Sequence, residues 1–244
     1  MQAVAENEFI NDYKTYPFDP RISYPSYKSF DDQIDLAKLK SLDADLTEKL
    51  TERILADRDD YFCNLYRLEK DTPYQPGVRE IWLSRTKSGL PFAYTDRVDD
   101  TDIWEASPGA AEFPQLMDFI DTLPFDRRGR MLIIYDSGNR EVPAHRDHLE
   151  PDVCNEFIWF RTNLKKPFYV LDTLSGRKEY VTSYSAWFDT VNQYHGCDPC
   201  EGLSFSIRVD GVFTADFKQR IPRPSINIAS TPSLWACLGG HGNE

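Results

Sequence analysis

Positive charge and cysteine are both limited in this chain of 244 residues, and each limit argues against a class of protein; histidine is scarce as well, with four residues. Lys and Arg number 28 against 40 for Asp and Glu, which gives a net charge of −12. Nucleic acids and anionic membranes attract basic proteins, so we expect neither as a partner. Five cysteines, an odd number, do not indicate a disulfide framework, and a reducing cytoplasmic location is what we expect.

The chain also lacks a long hydrophobic run, and its first residues lack the basic-then-apolar pattern of a secretory signal. Its hydrophobic content of 41% and aromatic content of 14% instead predict a folded, globular protein. We expect one structural domain with a substantial core. A small-molecule substrate fits an acidic chain without a recognisable peptide-binding or nucleic-acid-binding module, and the sequence also allows a homodimer.

Residues 1–124 predict an arm, helices and supporting strands that pack on a core. Residues 1–30 are rich in Pro, Tyr and Asp and predict an irregular arm. Leu and Ile recur at helical spacing over 31–56, which indicates one or two amphipathic helices, broken near 41–45 if there are two. A strand is predicted at 79–86, and a further helix at 110–123.

After Pro124 the pattern changes to short apolar or alternating runs separated by Gly, Pro, Asn and Asp. Such runs predict short strands, so the chain should be mainly β with flanking helices. Strands of this length with turns between them are typical of an antiparallel sandwich or jelly roll. We expect this core over 125–218 and a loop-like tail over 219–244. The eight predicted strands are 130–136, 142–147, 156–162, 167–172, 178–183, 185–189, 193–196 and 203–213.

His145, Asp147 and His195 are candidate metal ligands. If 142–147 is a strand, His145 and Asp147 lie two residues apart and point to the same face. His195 falls in the seventh predicted strand and could reach the same ion from the facing side of a sandwich. Two imidazoles and one carboxylate are the ligands of a facial Fe(II) site with open positions. A structural zinc site would usually have four ligands and favour cysteine.

Two other interpretations are weaker. His-Arg-Asp at 145–147 also opens the catalytic loop of protein kinases, but the sequence has neither a glycine-rich nucleotide loop nor Asp-Phe-Gly. Cys197 and Cys200 form a C-x-x-C, yet no second pair exists and the strand-then-helix setting of a thioredoxin motif is absent. We expect packing or incidental thiols there.

Arg208 adds a cation to the three candidate ligands. In the predicted strand over 203–213, Ser204, Ser206 and Arg208 share one face. A buried strand that aims an arginine inward needs an anion, because an unpaired buried charge is costly. The guanidinium fork matches a carboxylate. That carboxylate could belong to a bound acid or to an Asp or Glu of the chain.

H-x-D, the distal His, the Arg beyond it and the eight strands together resemble the Fe(II)/2-oxoglutarate-dependent oxygenases over roughly 129–215. The resemblance implies a double-stranded β-helix, a jelly-roll, cupin-like core, with Fe(II) on His145, Asp147 and His195. It implies that Arg208 pairs with the distal carboxylate of 2-oxoglutarate, and Ser206 on the same face is a further candidate for cosubstrate binding. O2 and 2-oxoglutarate would be consumed while a C–H bond is oxidised, with hydroxylation the leading outcome. The carboxylate of Asp147 disfavours halogenation.

A finer resemblance, to the aspartyl/asparaginyl β-hydroxylase and free amino-acid hydroxylase branch, lies in FRTNL (160–164) and AWFDTVNQYHG (186–196). It implies that Arg161 helps to bind the metal-side carboxylate of the cosubstrate. Asn163 stands where that branch has His, and some members of the branch lack the metal carboxylate that Asp147 supplies here.

The substrate is less well indicated than the metal. Strand parity makes Trp159, Asn163 and Tyr135 candidates for its binding, and Arg85 could hold a substrate carboxylate. A free amino acid or a derivative is the leading substrate, and desaturation or ring closure in natural-product biosynthesis is the alternative outcome. A second class is a cupin-type metal protein without oxygenase activity, an isomerase or a binding module, in which Arg208 would lack an assigned partner.

Overall fold

The computed structural model describes residues 22–23, 27–56, 79–88, 102–137, 139, 141–147, 156–172, 177–190, 193–220 and 225–226. Most of the predicted arm over 1–30 and of the predicted tail over 219–244 lies outside these residues. The described part of the chain is mainly β with a few short helices, as predicted. None of its helices combines the length and the apolar character needed to cross a membrane.

Each of the eight strands predicted after Pro124 is present, as β6 to β13 below. The described strands are β1 (Ile22–Ser23), β2 (Lys28–Ser29), β3 (Arg79–Trp82), β4 (Ser84–Thr86), β5 (Trp104–Ala106), β6 (Phe125–Asp136), β7 (Val142–His145), β8 (Phe157–Phe160), β9 (Phe168–Asp172), β10 (Arg177–Tyr180), β11 (Ser185–Trp187), β12 (His195–Cys197), β13 (Ser204–Phe213) and β14 (Ser225–Ile226). The helices are α1 (Leu36–Ser41), α2 (Asp43–Leu55), α3 (Pro114–Ile120), α4 (Ala215–Lys218) and a 3-10 turn (Pro108–Glu112).

Two antiparallel sheets form the core. The large sheet has six strands in the order β2-β11-β8-β13-β6-β3, and the small sheet has four in the order β10-β9-β12-β7. From β6 to β13 the chain passes back and forth between them, and only β9 and β10 are successive strands of one sheet. Trp159 of β8 and Phe168 of β9 meet with ring centroids 4.6 Å apart, so the inner faces of the two sheets are in contact.

The outer face of the large sheet packs on helices. Ile133 of β6, Ile207 of β13 and Phe160 of β8 are partners in one row across three neighbouring strands, and each is fully buried. Phe160 meets Phe119 of α3 edge-on, with ring centroids 5.3 Å apart. Burying each such side chain contributes about 1.5–3 kcal/mol, so this row anchors the helices to the sheet.

The predicted helices are present with interruptions. The segment 31–56 contains α1 and α2, which break at Leu42, inside the predicted interval 41–45. Asp35 caps α1 by accepting a hydrogen bond from the backbone N–H of Lys38 at 2.9 Å. The predicted helix over 110–123 becomes a 3-10 turn and then α3, which begins at Pro114, a residue suited to a first helical position. The predicted strand over 79–86 is divided into β3 and β4.

Candidate metal centre

His145, Asp147 and His195 lie together at the edge of the small sheet. His145 ends β7, His195 begins β12, and the two are register partners in neighbouring antiparallel strands. Nε2 of His145 lies 3.7 Å, and Nε2 of His195 3.5 Å, from Oδ1 of Asp147. All three ligand atoms lie within 4.8 Å of one another, so the group can hold a metal ion. The expectation that His195 comes from the facing sheet is wrong, because β12 pairs directly with β7.

Both imidazole rings are held by a backbone carbonyl two residues before them in the chain. Nδ1 of His145 lies 2.9 Å from the carbonyl of Pro143, and Nδ1 of His195 lies 3.1 Å from that of Gln193. A carbonyl can only accept, so in the neutral ring Nδ1 carries the proton and Nε2 presents its lone pair. Burial and the neighbouring His195 lower the pKa of His145 to about 4, although Asp147 opposes the shift. His145 is therefore a neutral ligand at neutral pH.

The two carboxylate oxygens of Asp147 have different neighbours, the two histidine rings for one and Arg208 for the other. Oδ1 faces the two histidines, and Oδ2 accepts a hydrogen bond from Nη1 of Arg208 at 2.8 Å. The backbone N–H of Asp147 donates to the carbonyl of Thr190 at 2.7 Å. Burial alone would raise the pKa of Asp147, but His195, Arg208 and His145 hold it well below its ordinary value. The carboxylate stays ionised, with one oxygen available to a metal.

Arg208 reaches Asp147 from β13 of the large sheet and is itself part of a buried charge network. Its Nε donates to Oδ1 of Asp210 at 2.9 Å, and Nε of Arg130 donates to Oδ2 of the same Asp210 at 3.0 Å. Burial would lower the pKa of Arg208, but Asp210 and Asp147 raise it. Salt bridges within the chain, one of the two alternatives for Arg208, are therefore present.

One guanidinium nitrogen of Arg208 still has donor capacity. Nη2 lies 2.9 Å from Oδ1 of Asp210, close enough for an ion pair. It is not aligned for a hydrogen bond, however, and is a buried donor without an acceptor in the described part of the chain. Because a buried donor without an acceptor is costly, this nitrogen is suited to a ligand oxygen.

Gly196 lets β7 and β12 approach closely beside the metal ligands. A Cβ atom there would lie 2.4 Å from the carbonyl oxygen of Val142 and 2.6 Å from the hydroxyl oxygen of Tyr169. Only glycine fits without moving β7, which carries His145. The sequence reasoning missed this residue, and its one signal is a glycine directly after the second metal histidine.

An aromatic cluster packs around His195. The ring of Phe188 lies 5.2 Å and that of Phe168 6.1 Å from the imidazole, centroid to centroid. The ring of Trp159 packs on that of Phe168 at an angle of 32°, and Trp159 is 5% exposed. Trp159, a predicted substrate residue, thus lies between the sheets on the side of the metal centre, and its contact with substrate stays a prediction.

Arg161 and Asn163, predicted to bind cosubstrate and substrate, bond to other parts of the chain. The Arg161 guanidinium donates to the carbonyls of Lys166 at 2.7 Å and Ser183 at 3.2 Å, and also to that of Val181. Asn163 donates to Asp43 at the start of α2 at 2.6 Å. These contacts favour structural roles, and the predicted ligand contacts stay untested.

The structure places Tyr135 on the face opposite to the predicted one and Arg85 in an exposed hairpin, and substrate binding by either residue stays a prediction. Tyr135 is three residues after Leu132, the register partner of Arg208, so it lies on the opposite face of β6, in the main hydrophobic core. Arg85 lies in the small β4–β5 hairpin, where it is 46% exposed and pairs with Glu105 at 2.8 Å. Ser206 shares the face of Arg208 and is half-buried, so its proposed role remains open.

Cys197 and Cys200 are free cysteines. Burial raises the pKa of the Cys197 thiol to about 12. A thiol that stays protonated is a poor nucleophile and a poor metal ligand, which agrees with the expectation of a packing residue.

Glu80 is a carboxyl group near the centre that the sequence reasoning did not single out. It lies in β3, is half-buried, and its Oε2 accepts a hydrogen bond from Nε1 of Trp82 at 3.0 Å. Burial raises its pKa; Asp147 adds to the rise, whereas Trp82, Arg130 and Arg208 oppose it. The signal available in the sequence was one acidic residue within the predicted strand over 79–86.

Comparison with the profiles of known protein families finds no match, and neither does comparison with curated protein sequences. Among solved structures, the chain is similar to a prolyl-4-hydroxylase from Pseudomonas putida, with 10% identity, a TM-score of 0.41 and coverage of 81% of this chain and 93% of that one. It is also similar to AviO1 from Streptomyces viridochromogenes Tue57, with 15% identity, a TM-score of 0.35 and coverage of 81% and 90%. Likenesses this distant carry no conclusion about family or activity.

Proposed function

We propose that the protein is an Fe(II)/2-oxoglutarate-dependent oxygenase that hydroxylates a C–H bond of a small metabolite, with a free amino acid or a derivative as the leading substrate. The observation that carries the proposal is the convergence of two imidazole Nε2 atoms and one carboxylate oxygen, from His145, His195 and Asp147. Three such ligands leave positions for an oxo-acid and O2, as non-haem iron oxygenases require. When bound, the iron would supply the oxidising chemistry.

The strand order supports the double-stranded β-helix that this proposal implies. The eight strands β6 to β13 are divided equally between two antiparallel sheets, and all but β9 and β10 switch sheet from one strand to the next. The ligands lie where β7 and β12 meet. Chain-distant strands are also neighbours in a jelly roll, so this strand order supports the proposed core.

The residues fit an iron ion. Ligand atoms about 2.1 Å from a metal and at right angles to each other lie roughly 3 Å apart. The observed separations from Oδ1 of Asp147 are 3.7 and 3.5 Å and the three atoms lie within 4.8 Å of one another, so the atoms would move closer together on binding the ion. His145 and His195 would bind through Nε2, while Oδ2 of Asp147 stays on Arg208. The absence of cysteine from this group disfavours a structural zinc site.

Arg208 is the proposed anchor for the distal carboxylate of 2-oxoglutarate. Its Nη2 is a buried donor without an acceptor in the described residues, and Ser206 lies on the same face of β13. Asp147 and Asp210 already offset its charge, so their role is to orient the guanidinium while Nη2 remains for the ligand.

The decisive experiment is an anaerobic titration with Fe(II) and 2-oxoglutarate. We expect a weak visible charge-transfer band, which His195→Ala should abolish because it removes a metal ligand. Asp198→Asn, which changes a carboxylate in a surface ion pair with Lys178, is the matched control and should keep the band. A folded, iron-loaded wild-type protein without the band would overturn the oxygenase proposal.

The anchor has its own test in Arg208→Lys. A lysine keeps the charge but loses the planar fork, so the 2-oxoglutarate concentration for half the maximal band should rise at least about tenfold. Arg85→Lys, in the exposed hairpin, should leave it unchanged. Equal titrations for wild type and Arg208→Lys would contradict the proposed role of Arg208.

A metal protein without oxygenase activity is the second candidate. It is favoured by the pairing of Arg208 with Asp147 and Asp210, and by the occupation of Arg161 by backbone carbonyls. Such a protein would bind metal in the titration but show no response to 2-oxoglutarate. If the band does form, the product mass separates hydroxylation, which adds an oxygen atom, from desaturation or ring closure, which removes two hydrogen atoms.

A further inference from the structure

We propose that Glu80 binds a positively charged amino group of the substrate. This proposal deepens the oxygenase function and rests on it for the identity of the reaction. It assigns a substrate contact to β3, which lies outside the eight strands β6 to β13 of the core.

The register of the large sheet directs Glu80 toward the metal centre. Glu80 of β3 is the partner of Ile134 in β6, and Ile134 is the partner of Ser206 in β13. Partners in neighbouring strands point to the same face of a sheet. Two residues further along, Arg208 leaves β13 on that face and bonds to Asp147. Glu80 therefore leaves the sheet on the side of the metal ligands.

The carboxyl group of Glu80 is held in place but keeps an oxygen for a ligand. Oε2 accepts from Nε1 of Trp82, which is 6% exposed and stacks on Trp104 with ring centroids 5.9 Å apart. Within the described residues, no hydrogen bond to Oε1 is observed. The side chain is therefore fixed at one oxygen by a buried indole, and the other can accept from a bound group.

The neighbouring charges leave Glu80 as the group in need of a cation. Arg208 is bonded to Asp147 and Asp210, and Arg130 to Asp210, so these two cations and two anions offset one another. Glu80 forms no ion pair in the described part of the chain. A half-buried carboxylate beside the buried indole of Trp82 gains more from a bound ammonium than one in water, because the surroundings screen the pair less.

The chemical consequence is a preference for substrates with a free amine. An ammonium donates to the open oxygen and balances the charge, whereas an N-acylated compound has lost both the positive charge and most of the donors. Compounds that carry only a carboxylate should be disfavoured next to Glu80.

The test measures binding rather than turnover. The common L-amino acids and their N-acetyl counterparts are offered as probes to the full-length chain with Fe(II) under anaerobic conditions, in equilibrium dialysis followed by mass spectrometry. Glu80→Gln keeps an oxygen acceptor for Trp82 but removes the charge. Glu105→Gln, which changes an exposed carboxylate of the neighbouring hairpin, is the matched control.

We expect at least one free amino acid to bind the wild type and the Glu105→Gln protein equally. We expect Glu80→Gln to bind it about 10- to 100-fold more weakly, the range for a lost charge-assisted hydrogen bond. N-acetyl compounds should bind the wild type at least about tenfold more weakly than the parent amino acids. Their affinity should not change further in Glu80→Gln, whereas a general structural disturbance would weaken both.

Three results would overturn the proposal: no amino acid binds, N-acetyl compounds bind as well as their parents, or Glu80→Gln leaves amine affinity unchanged. The Fe(II) and 2-oxoglutarate band, recorded on the same proteins, separates this failure from failure of the proposed function. Glu80-dependent amine binding without the band would retain the amine site and reject the oxygenase.

Discussion

The two sheets contribute to the metal centre in different ways. In the small sheet, each metal histidine is oriented by the carbonyl two residues before it, that of Pro143 or of Gln193. Charged side chains of the large sheet pair with residues that are distant in the chain. Arg130 and Asp210 are 80 residues apart, and Arg208 and Asp147 are 61 residues apart. Ligand orientation is thus local, and charge compensation depends on the whole fold. Changes in the large sheet should therefore affect folding, and changes in the small sheet should affect the ligands.

The largest effect is expected from Asp210→Ala in the large sheet. This change removes the acceptor shared by Arg208 and Arg130 and leaves buried guanidinium groups with fewer partners. Breaking a buried ion pair from one side costs about 3–5 kcal/mol. Urea unfolding followed by circular dichroism should show this loss of free energy of unfolding.

The control for this prediction is the exposed pair of the β4–β5 hairpin. Arg85 and Glu105 lie 2.8 Å apart but are 46% and 40% exposed, so water already solvates both. Glu105→Ala should change the free energy of unfolding by less than about 1 kcal/mol. If Asp210→Ala lowers the free energy of unfolding no more than Glu105→Ala does, the buried charge network does not stabilise the large sheet.

A smaller effect is expected from Arg161→Lys. The Arg161 guanidinium donates hydrogen bonds to the carbonyls of Lys166, Val181 and Ser183. A lysine cannot reach all three with the same geometry. Leaving buried carbonyls without a donor should cost about 2 kcal/mol of the free energy of unfolding. The 2-oxoglutarate dependence of the visible band should not change. A raised half-saturation concentration would instead support the cosubstrate role implied by the sequence resemblance.

The strands and the metal ligands could be predicted because their signals are local. Turn residues separate the eight runs after Pro124, and all eight strands are present. His145 and Asp147 lie two residues apart at the end of a strand, which brings both to one place. The pairing of β12 with β7 could not be predicted, since which strands become neighbours depends on the path of the whole chain.

The substrate residues were harder to predict because the inner strands are buried on both sides. Met131, Leu132 and Ile133 are consecutive and all buried, so hydrophobic alternation does not show which face of β6 bears the site. Tyr135 was therefore assigned to the wrong face. Glu80 was overlooked for a related reason: an acidic residue in a short strand indicates a ligand contact only once the register with β6 and β13 is known.

The smallest expected effect is a pH-dependent loss of stability, which tests how the small sheet holds His145. Burial and the neighbouring His195 lower the pKa of His145 from 6.5 to about 4. Between these values the unfolded chain binds a proton on this ring and the folded chain does not, so the metal-free protein should lose stability as the pH falls from 6.5 to about 4. With 22% of the side chain exposed, the loss should be about 1–2 kcal/mol.

Unfolding by urea in the presence of a chelator, repeated across this pH range, measures the effect. Titrating carboxylates also contribute at the acid end, so the informative quantity is the difference between the wild type and His145→Asn, which has no ring to protonate. The variant should lose less stability than the wild type over the same interval. Parallel curves would mean that the His145 ring is solvated enough to take up its proton in the folded state, and that burial and the neighbouring His195 do not keep it neutral. The backbone carbonyl of Pro143 would then orient the His145 ring, and the surroundings of the ring in the small sheet would not control its protonation state.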